Sequence, residues 1–449
     1  MSFFAIDLFS GAGGMSEGVL QAGFHILFSN DINESVEETY INRHAQLGYK
    51  QGYNTFFRRS DIRELTGSYI LEEISKLKFW EEEKVDIPTE IDVIFGGPPC
   101  QGFSLAGKRN SEDPRNMLFK EYVRVINEIQ PKYVVMENVL GFMTTKLKNF
   151  KSLDTKEIYM EETAPNILTK ELTKIGYKIL KPQILDASDF GVPQSRKRAI
   201  FIAYRSDVFK PKYPIGNASN KVTIEEAISD LSSLHDKNSK KTKYQLDSIN
   251  GRTPDINIST VSSNNILKNH QLSTHNTSIV ERFSLYKENE KTADLRKRIQ
   301  QNGIDLSDCP TLCKELSEQF FISQKDVNVL FKCRSFTEPM LIKLLTKKNM
   351  RIRLDRRDVS KTIVSMPDDF ISPFENRILT VREMARLQSF DDSFVFLGPR
   401  TTGGSRRRKE VPQYTQVGNA VPPKLAKAIA TQIRLALIMN REISLKKQK

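Results

Sequence analysis

The chain has 449 residues, of which 39% are hydrophobic and 27% charged, a balance that excludes global disorder and suits two or three domains. Its 68 Lys and Arg against 55 Asp and Glu leave a formal net charge of +13, which favours a polyanionic partner. No apolar run reaches the ~18–20 residues of a membrane span, no secretory pattern opens the chain, and four cysteines cannot staple a fold this size, so the expected setting is a reducing cytoplasm.

Over roughly the first 200 residues, short apolar runs alternate with amphipathic stretches, the pattern of βα units around a parallel sheet. Strands are predicted over residues 3–9, 25–29, 91–95, 133–136, 179–185 and 199–204, with helices over 14–22, 35–43 and 118–129. The expected fold class is α/β, a doubly wound and mostly parallel sheet. The first strand runs into Phe9-Ser-Gly-Ala-Gly-Gly14, where glycines permit a tight turn and close approach of a ligand. Ser16 stands where a dinucleotide fingerprint would have its third glycine. The second strand ends in Asn30-Asp31, a carboxylate placed for ribose hydroxyls, and Asp61 is read as the tip of a third strand facing an adenine. In strand order these three features point to an adenosine-containing cofactor.

The fourth strand leads to Gly96-Gly-Pro-Pro-Cys100-Gln-Gly-Phe-Ser104. Two glycines and two prolines make an abrupt turn, and a thiol heads the polar loop that follows. The next strand ends in Glu137-Asn-Val139, so neighbouring strands would bring a thiol and a carboxyl group to one cleft. No His or Asp lies nearby in sequence as a hydrolase base, and the Cys-x-x-Cys of zinc deaminases is absent.

Residues 205–360 hold 27 Lys and Arg against 19 Asp and Glu, an excess of eight that is more than half of the net charge. Polar stretches at 217–221 and 236–243 read as loops. Residues 312–321 and 325–331 suggest two short helices, either a helix-turn-helix or two packed surface helices. Arg406-Arg-Arg-Lys409 is either a phosphate-contacting loop or a solvated one. Cys309, Cys313 and Cys333 with His270 or His275 lack the second close pair of a zinc site, so no metal is expected and the three thiols are read as buried and structural.

The segments Phe9-Ser-Gly-Ala-Gly-Gly14, Gly97-Pro-Pro-Cys-Gln-Gly-Phe-Ser104, Glu137-Asn-Val139 and Gln194-Ser-Arg-Lys-Arg198 resemble, in order, the motifs of DNA (cytosine-5) methyltransferases. Arg377-Ile-Leu-Thr-Val-Arg-Glu-Met-Ala-Arg-Leu-Gln-Ser-Phe390 and Gln416-Val-Gly-Asn-Ala-Val-Pro-Pro423 resemble the last two. The likeness covers about residues 1–205 and 350–435, and is of the bacterial restriction–modification type. It implies the S-adenosylmethionine-dependent methyltransferase fold over 1–205, a target-recognition domain over 206–410, and a C-terminal segment, 411–449, returning to the catalytic domain.

The resemblance also assigns roles. Cys100 is the expected nucleophile towards cytosine C6, Glu137 the acid at N3, Arg198 the group at the O2 side, and Arg196 an organiser of the catalytic loop. S-adenosylmethionine is the implied cofactor, with Phe9, Gly11, Gly13, Gly14, Asp31, Ile32, Asp61, Ile62, Pro98, Leu118, Asn419 and Ala420 around it. Double-stranded DNA is the implied partner, contacted by Ser104, Lys108, Arg109, Arg406, Arg407 and Arg408, with the target base flipped out. The expected protein is a cytoplasmic monomer whose functional partner is a cognate restriction endonuclease. An RNA-directed relative, a silent DNA-binding protein and a nicotinamide-dependent dehydrogenase are the rivals. Two departures stand out: Ser372-Pro373 replaces the family's frequent His-Pro, and Asp31 replaces a longer carboxylate. Residues 64–90, with Trp80-Glu-Glu-Glu-Lys84, exceed a minimal connection and have no assigned purpose.

Overall fold

The structure, a computed structural model, describes residues 3–99, 118–153, 157–236, 239–263, 266–345, 348–401 and 410–447. The N-terminal part alternates β1 (Phe3–Leu8), α1 (Gly14–Gln21), β2 (Phe24–Asp31), α2 (Glu34–Gln46) and β3 (Phe56–Arg59). There follow α3 (Gly67–Ser75), α4 (Phe79–Glu82), β4 (Val93–Gly96), α5 (Leu118–Ile129) and β5 (Tyr133–Asn138). A hairpin of β6 (Lys146–Lys151) and β7 (Ile158–Thr163), then α6 (Ala164–Lys174), β8 (Tyr177–Ile179), β9 (Gln183–Asp186) and β10 (Lys197–Arg205), complete it. The sheet runs β3-β2-β1-β4-β5-β10-β8, with β9 also on β10. The first five strands are parallel, and β10 is antiparallel to β5, β8 and β9.

This is the expected doubly wound α/β sheet, with one correction. The predicted strand over 179–185 is two strands, because Pro182 offers no amide for a ladder and interrupts the run. The extra length at 64–90 forms α3 and α4, which bury Trp80 in the apolar layer on one face of the sheet; its indole N–H donates to the Ile74 carbonyl at 2.6 Å.

The sheet carries apolar layers on both faces, and α16 (Pro423–Lys447) closes the second one by packing on α1. Gly18 permits that contact, since a Cβ there would stand 2.4 Å from the Pro423 carbonyl. The end of the chain is thereby fixed against the start.

Beyond β10, α7 (Ile224–Ile228) and α8 (Lys243–Asn250) join a third apolar cluster with α14 (Val381–Leu387) and α15 (Gln413–Asn419). Between them in sequence, α9 (Thr277–Ser284), α10 (Thr292–Asn302), α11 (Pro310–Phe320), α12 (Gln324–Lys332) and α13 (Glu338–Leu345) enclose a fourth core. The two short helices predicted within 312–331 are α11 and α12. Cys309 and Cys313 are buried in this fourth core, whereas Cys333 is exposed, which corrects its reading as a buried thiol: it lies just past the end of α12. The stretch from Asn269 to His275 straps this half together. Asn269 accepts from the Arg382 amide, and His270 pairs with the Thr380 hydroxyl that caps α14.

Candidate active site

A cavity of about 1010 Å³ opens at the carboxyl edge of the parallel strands, where such sheets bind ligands. Its wall follows the strand order: Asp61 beyond β3, Asp31 ending β2, Phe9 after β1, Pro98 after β4, and Glu137 near the end of β5. Arg198 reaches the same edge because β10 runs the other way and begins there. At ~4.8 Å per strand, the β2 and β5 tips stand roughly 14 Å apart across the cavity.

The register explains how Glu137 and Arg198 meet. Ile200 lies opposite Glu137, so Arg198, two residues along on the same face, is its diagonal neighbour. Arg198 Nε donates to Glu137 Oε1 at 2.7 Å, and both side chains are nearly buried. A Cβ at Gly97 would lie 3.5 Å from Glu137 Oε2, and Asn138 donates to the Pro98 carbonyl at 3.3 Å. The turn after β4 therefore abuts the carboxylate. Cys100 follows Pro99 directly in sequence but lies outside the described residues, as do Ser104, Lys108, Arg109, Arg406, Arg407 and Arg408.

In the other half of the cavity, both Asp31 oxygens are engaged by the loop: Gly11 N–H donates to Oδ2 at 3.1 Å and Asn33 N–H to Oδ1 at 3.0 Å. A short carboxylate suits this double tether. Burial nonetheless pushes its pKa up. Asp61 sits two residues past the end of β3 rather than at its tip, paired with Arg63, whose guanidinium donates at 2.9 and 2.5 Å and holds the carboxyl low. Ile32, Ile62, Leu118, Asn419 and Ala420 also line the cavity, Ile32 with 63% of its surface exposed. Gly13 and Gly14 do not line it. Gly13 takes φ +98 at the start of α1, and a Cβ at Gly14 would stand 2.3 Å from the Val421 carbonyl, so both shape the turn behind the wall.

Arg196 lies away from solvent. It is 2% exposed, with Nη1 on the Ile363 carbonyl at 3.0 Å and Nη2 on the Gly418 carbonyl at 2.9 Å, and burial lowers its pKa. It ties β10 to two distant segments that both line the cavity.

Several wall residues carried no sequence signal. Residues 362–365 enter through a bridge of Ser360 with Gln194 and a bond from the Ile363 amide to Gln194 Oε1 at 2.7 Å, neither of which a local motif announces. Asp7 could have been found as the one charge in an apolar strand. Its Oδ2 accepts from Ser16 at 2.5 Å, and Ser16 in turn meets the Tyr40 hydroxyl at 3.0 Å. The serine at the missing third glycine thus has a purpose. Asp7 Oδ1 is buried with no hydrogen-bond partner among the described residues, and burial pushes the carboxyl up to about 7. Among the described residues, no cluster of three or more His, Cys, Asp or Glu is placed to hold a metal ion, and no helix is long and apolar enough to cross a membrane.

Residues 3–435 match the family described as C-5 cytosine-specific DNA methylase. Among curated relatives, the Type II methyltransferase M.DdeI of Desulfomicrobium norvegicum is 31% identical over 98% of this chain and 92% of its own length. M1.HphI of Haemophilus parahaemolyticus, also a Type II methyltransferase, is 32% identical over 96% of this chain and 87% of its own. A solved prophage-encoded protein of E. coli, described as a DNA modification methyltransferase, superposes with a TM-score of 0.62 at 24% identity, covering 97% of this chain and all of that one; it supports the fold.

Proposed function

This chain belongs to the C-5 cytosine-specific DNA methylase family, and from that premise we propose that it moves a methyl group from S-adenosylmethionine to C5 of a cytosine flipped out of a specific duplex site. The observation that carries the reading is the Glu137–Arg198 pair, 2.7 Å apart, set against the Gly97-Pro98 turn, which precedes Cys100 in sequence, and sharing one cavity with Asp31 and Asp61.

The residues present fit the cofactor. A buried, unpartnered carboxylate oxygen on Asp7 suits an ammonium group, Asp31 a pair of ribose hydroxyls, and Ile32 and Ile62 the faces of a flat ring. Phe9, Gly11, Pro98, Leu118, Asn419 and Ala420 enclose the remainder. S-adenosylmethionine would supply an electrophilic methyl on a sulfonium, the electrons of the broken S–CH3 bond staying on sulfur in the product S-adenosylhomocysteine.

Cytosine C5 is a weak nucleophile, and the chain's own groups must activate it. The Cys100 thiolate adds to C6, the C5–C6 π electrons move to C5, and charge appears at N3 and O2. Glu137 holds a proton or hydrogen bond at N3, with Arg198 beside it opposing the negative charge. Once C5 carries the methyl, its proton leaves to a base such as water, the double bond reforms, and the Cys100–C6 bond breaks to return the thiolate. Arg196 positions the wall through the Ile363 and Gly418 carbonyls and touches no reacting atom in this scheme.

Residues 206–410 act as the target-recognition region, with 411–449 returning to the sheet. The protein works as a cytoplasmic monomer, and methylation protects host DNA from a cognate endonuclease. Incubation with methyl-labelled S-adenosylmethionine and duplex DNA, single-stranded DNA or RNA, followed by nucleoside analysis, tests this. Label in 5-methylcytosine from duplex DNA is expected, and Cys100→Ala should reduce it below detection while duplex binding persists. Label in N4-methylcytosine, in N6-methyladenine or in RNA alone overturns it.

A further inference from the structure

A second pocket, of about 630 Å³, lies where α16, the end of α1 and the Gly251-Arg252 turn meet. Its wall includes Gln21, Asp247, Arg252, Lys424, Lys427 and Thr431. Three of these are cations, and they are not equally satisfied. Arg252 is neutralised by Asp391 at 2.7 Å, and Asp247 is taken by Lys243 at 2.9 Å. Lys424 has neither kind of partner. Among the described residues its ammonium donates to the Gly191 carbonyl at 3.2 Å and lies 4.8 Å from the Tyr244 ring centroid, with no carboxylate in ion-pair contact.

The other side of the electrostatic balance is repulsive. Arg252 lies 4.6 Å from the centroid of the same Tyr244 ring, so one aromatic ring contacts two cations. Burial, with Arg252, Lys243 and Lys427 nearby, pulls the Lys424 ammonium down to about 8, against the opposing pull of Asp247. A largely desolvated ammonium facing a roomy pocket, with three like charges around it against one carboxylate that is itself held by Lys243, is complementary to an anion. Lys427, exposed and on the next turn of α16 along the same wall, can reach the same ligand.

We propose that this pocket binds a phosphate group between Lys424 and Lys427; the Gln21 amide and the Thr431 hydroxyl in its wall already donate to Thr253 and to the Lys427 carbonyl, so the two ammonium groups carry the recognition. None of these residues belongs to the active-site cavity, yet the two sites share their scaffold. Met15 of α1 lines the cavity and Gln21 of α1 lines the pocket, six residues or about 9 Å apart along one helix. Asn419–Val421 line the cavity just before α16, and α16 itself lines the pocket. The phosphate is either free or part of the DNA backbone, and the chemistry of recognition is common to both.

The test uses the full chain with Lys424→Gln, Lys427→Gln, the double variant, and Lys424→Arg, which keeps the charge. Thermal melting confirms that each folds, and Lys427→Gln carries the test if a Lys424 variant does not. Calorimetry with inorganic pyrophosphate at low ionic strength reads the free source. Wild type and Lys424→Arg should bind, and the double variant should lose at least tenfold in affinity. Duplex-DNA affinity against salt reads the backbone source. Its slope should flatten by ~1 for each lysine–phosphate pair removed, while Lys178→Gln, at the far edge of the sheet, leaves it unchanged. Either result supports the site. No pyrophosphate binding together with an unaltered salt slope overturns it.

Discussion

The sheet-edge cavity and the helical cluster of α9–α13 hold their buried charges differently. In the cavity, carboxyl groups are buried at the ends of strands, and one oxygen of Asp7 has no partner among the described residues. In the cluster, buried charges serve the main chain. Glu281 receives the Thr311 and Leu312 amides at the start of α11, and Arg282 donates to the Leu344 carbonyl at 2.6 Å. The remaining ions there are mostly on the surface, such as the Arg296–Glu338 pair. The cavity holds Asp31, Asp61 and Glu137 on partners but leaves one Asp7 oxygen open, whereas Glu281 and Arg282 of the cluster are directed at main-chain groups. That contrast can be broken by substitution.

The largest effect is expected at Glu137. Glu137→Gln keeps the shape and a contact to Arg198 but removes the acid, and labelled-methyl transfer should fall by about 10²–10⁴ in kcat with little change in melting temperature. A loss of fold instead would place Glu137 with the scaffold charges.

The same contrast decides what could be read without coordinates. Motifs at strand ends are local in sequence, so the places of Glu137, Asp31 and the turn after β4 around one cavity were legible, as were most strands of the sheet and α5 to the residue. Residues 362–365 were not, because their place depends on Arg196 and Gln194 reaching across more than 160 positions. The helices at 312–331 were legible from apolar spacing, but the core they share with α9, α10 and α13 was not, since an amphipathic stripe does not name its partner. The burial of Arg196 was hidden for a related reason: charge in a sequence implies exposure until a backbone carbonyl is found to receive it.

The next effect is one of stability. Arg386 is 1% exposed and bonds Asp392 at 2.9 and 2.7 Å as well as Asp230, fastening α14 to the turn after α7. Arg386→Ala strands two buried carboxylates and should cost about 3–5 kcal/mol in chemical denaturation. Arg296→Ala, at an exposed pair of the helical cluster, should cost ~0–1 kcal/mol. Equal losses would erase the distinction between junction and surface.

A smaller effect tests the unsatisfied oxygen. Folded Asp7 keeps its proton to about 7, whereas the unfolded side chain releases it near 3.8. The folded state therefore binds the extra proton between those values, and stability falls as pH rises through that window. Asp7→Asn lacks this term, so its melting temperature should gain on wild type from pH 4 to 7.5. Its affinity for S-adenosylmethionine should weaken by about tenfold or more, the worth of a hydrogen bond to a charged group. A variant that gains stability and binds as wild type would make Asp7 a buried flaw rather than part of the site.

The finest comparison sets two phenylalanines against each other. Phe9 and Phe321 both hold φ at +55, a region that favours glycine. Phe9 lines the cavity and packs against the sheet's core, whereas Phe321 ends α11 with 95% of its surface exposed. Glycine relieves the same backbone cost at each, about 1 kcal/mol, and adds a similar entropy to the unfolded chain. What differs is the ring. Phe9→Gly removes packed apolar surface worth roughly 2 kcal/mol and should lower both the melting temperature and cofactor affinity. At Phe321 the ring contributes almost nothing to folding, so Phe321→Gly should leave stability within ~0.5 kcal/mol of wild type. A loss there as large as at Phe9 would mean that the exposed ring is packed in solution.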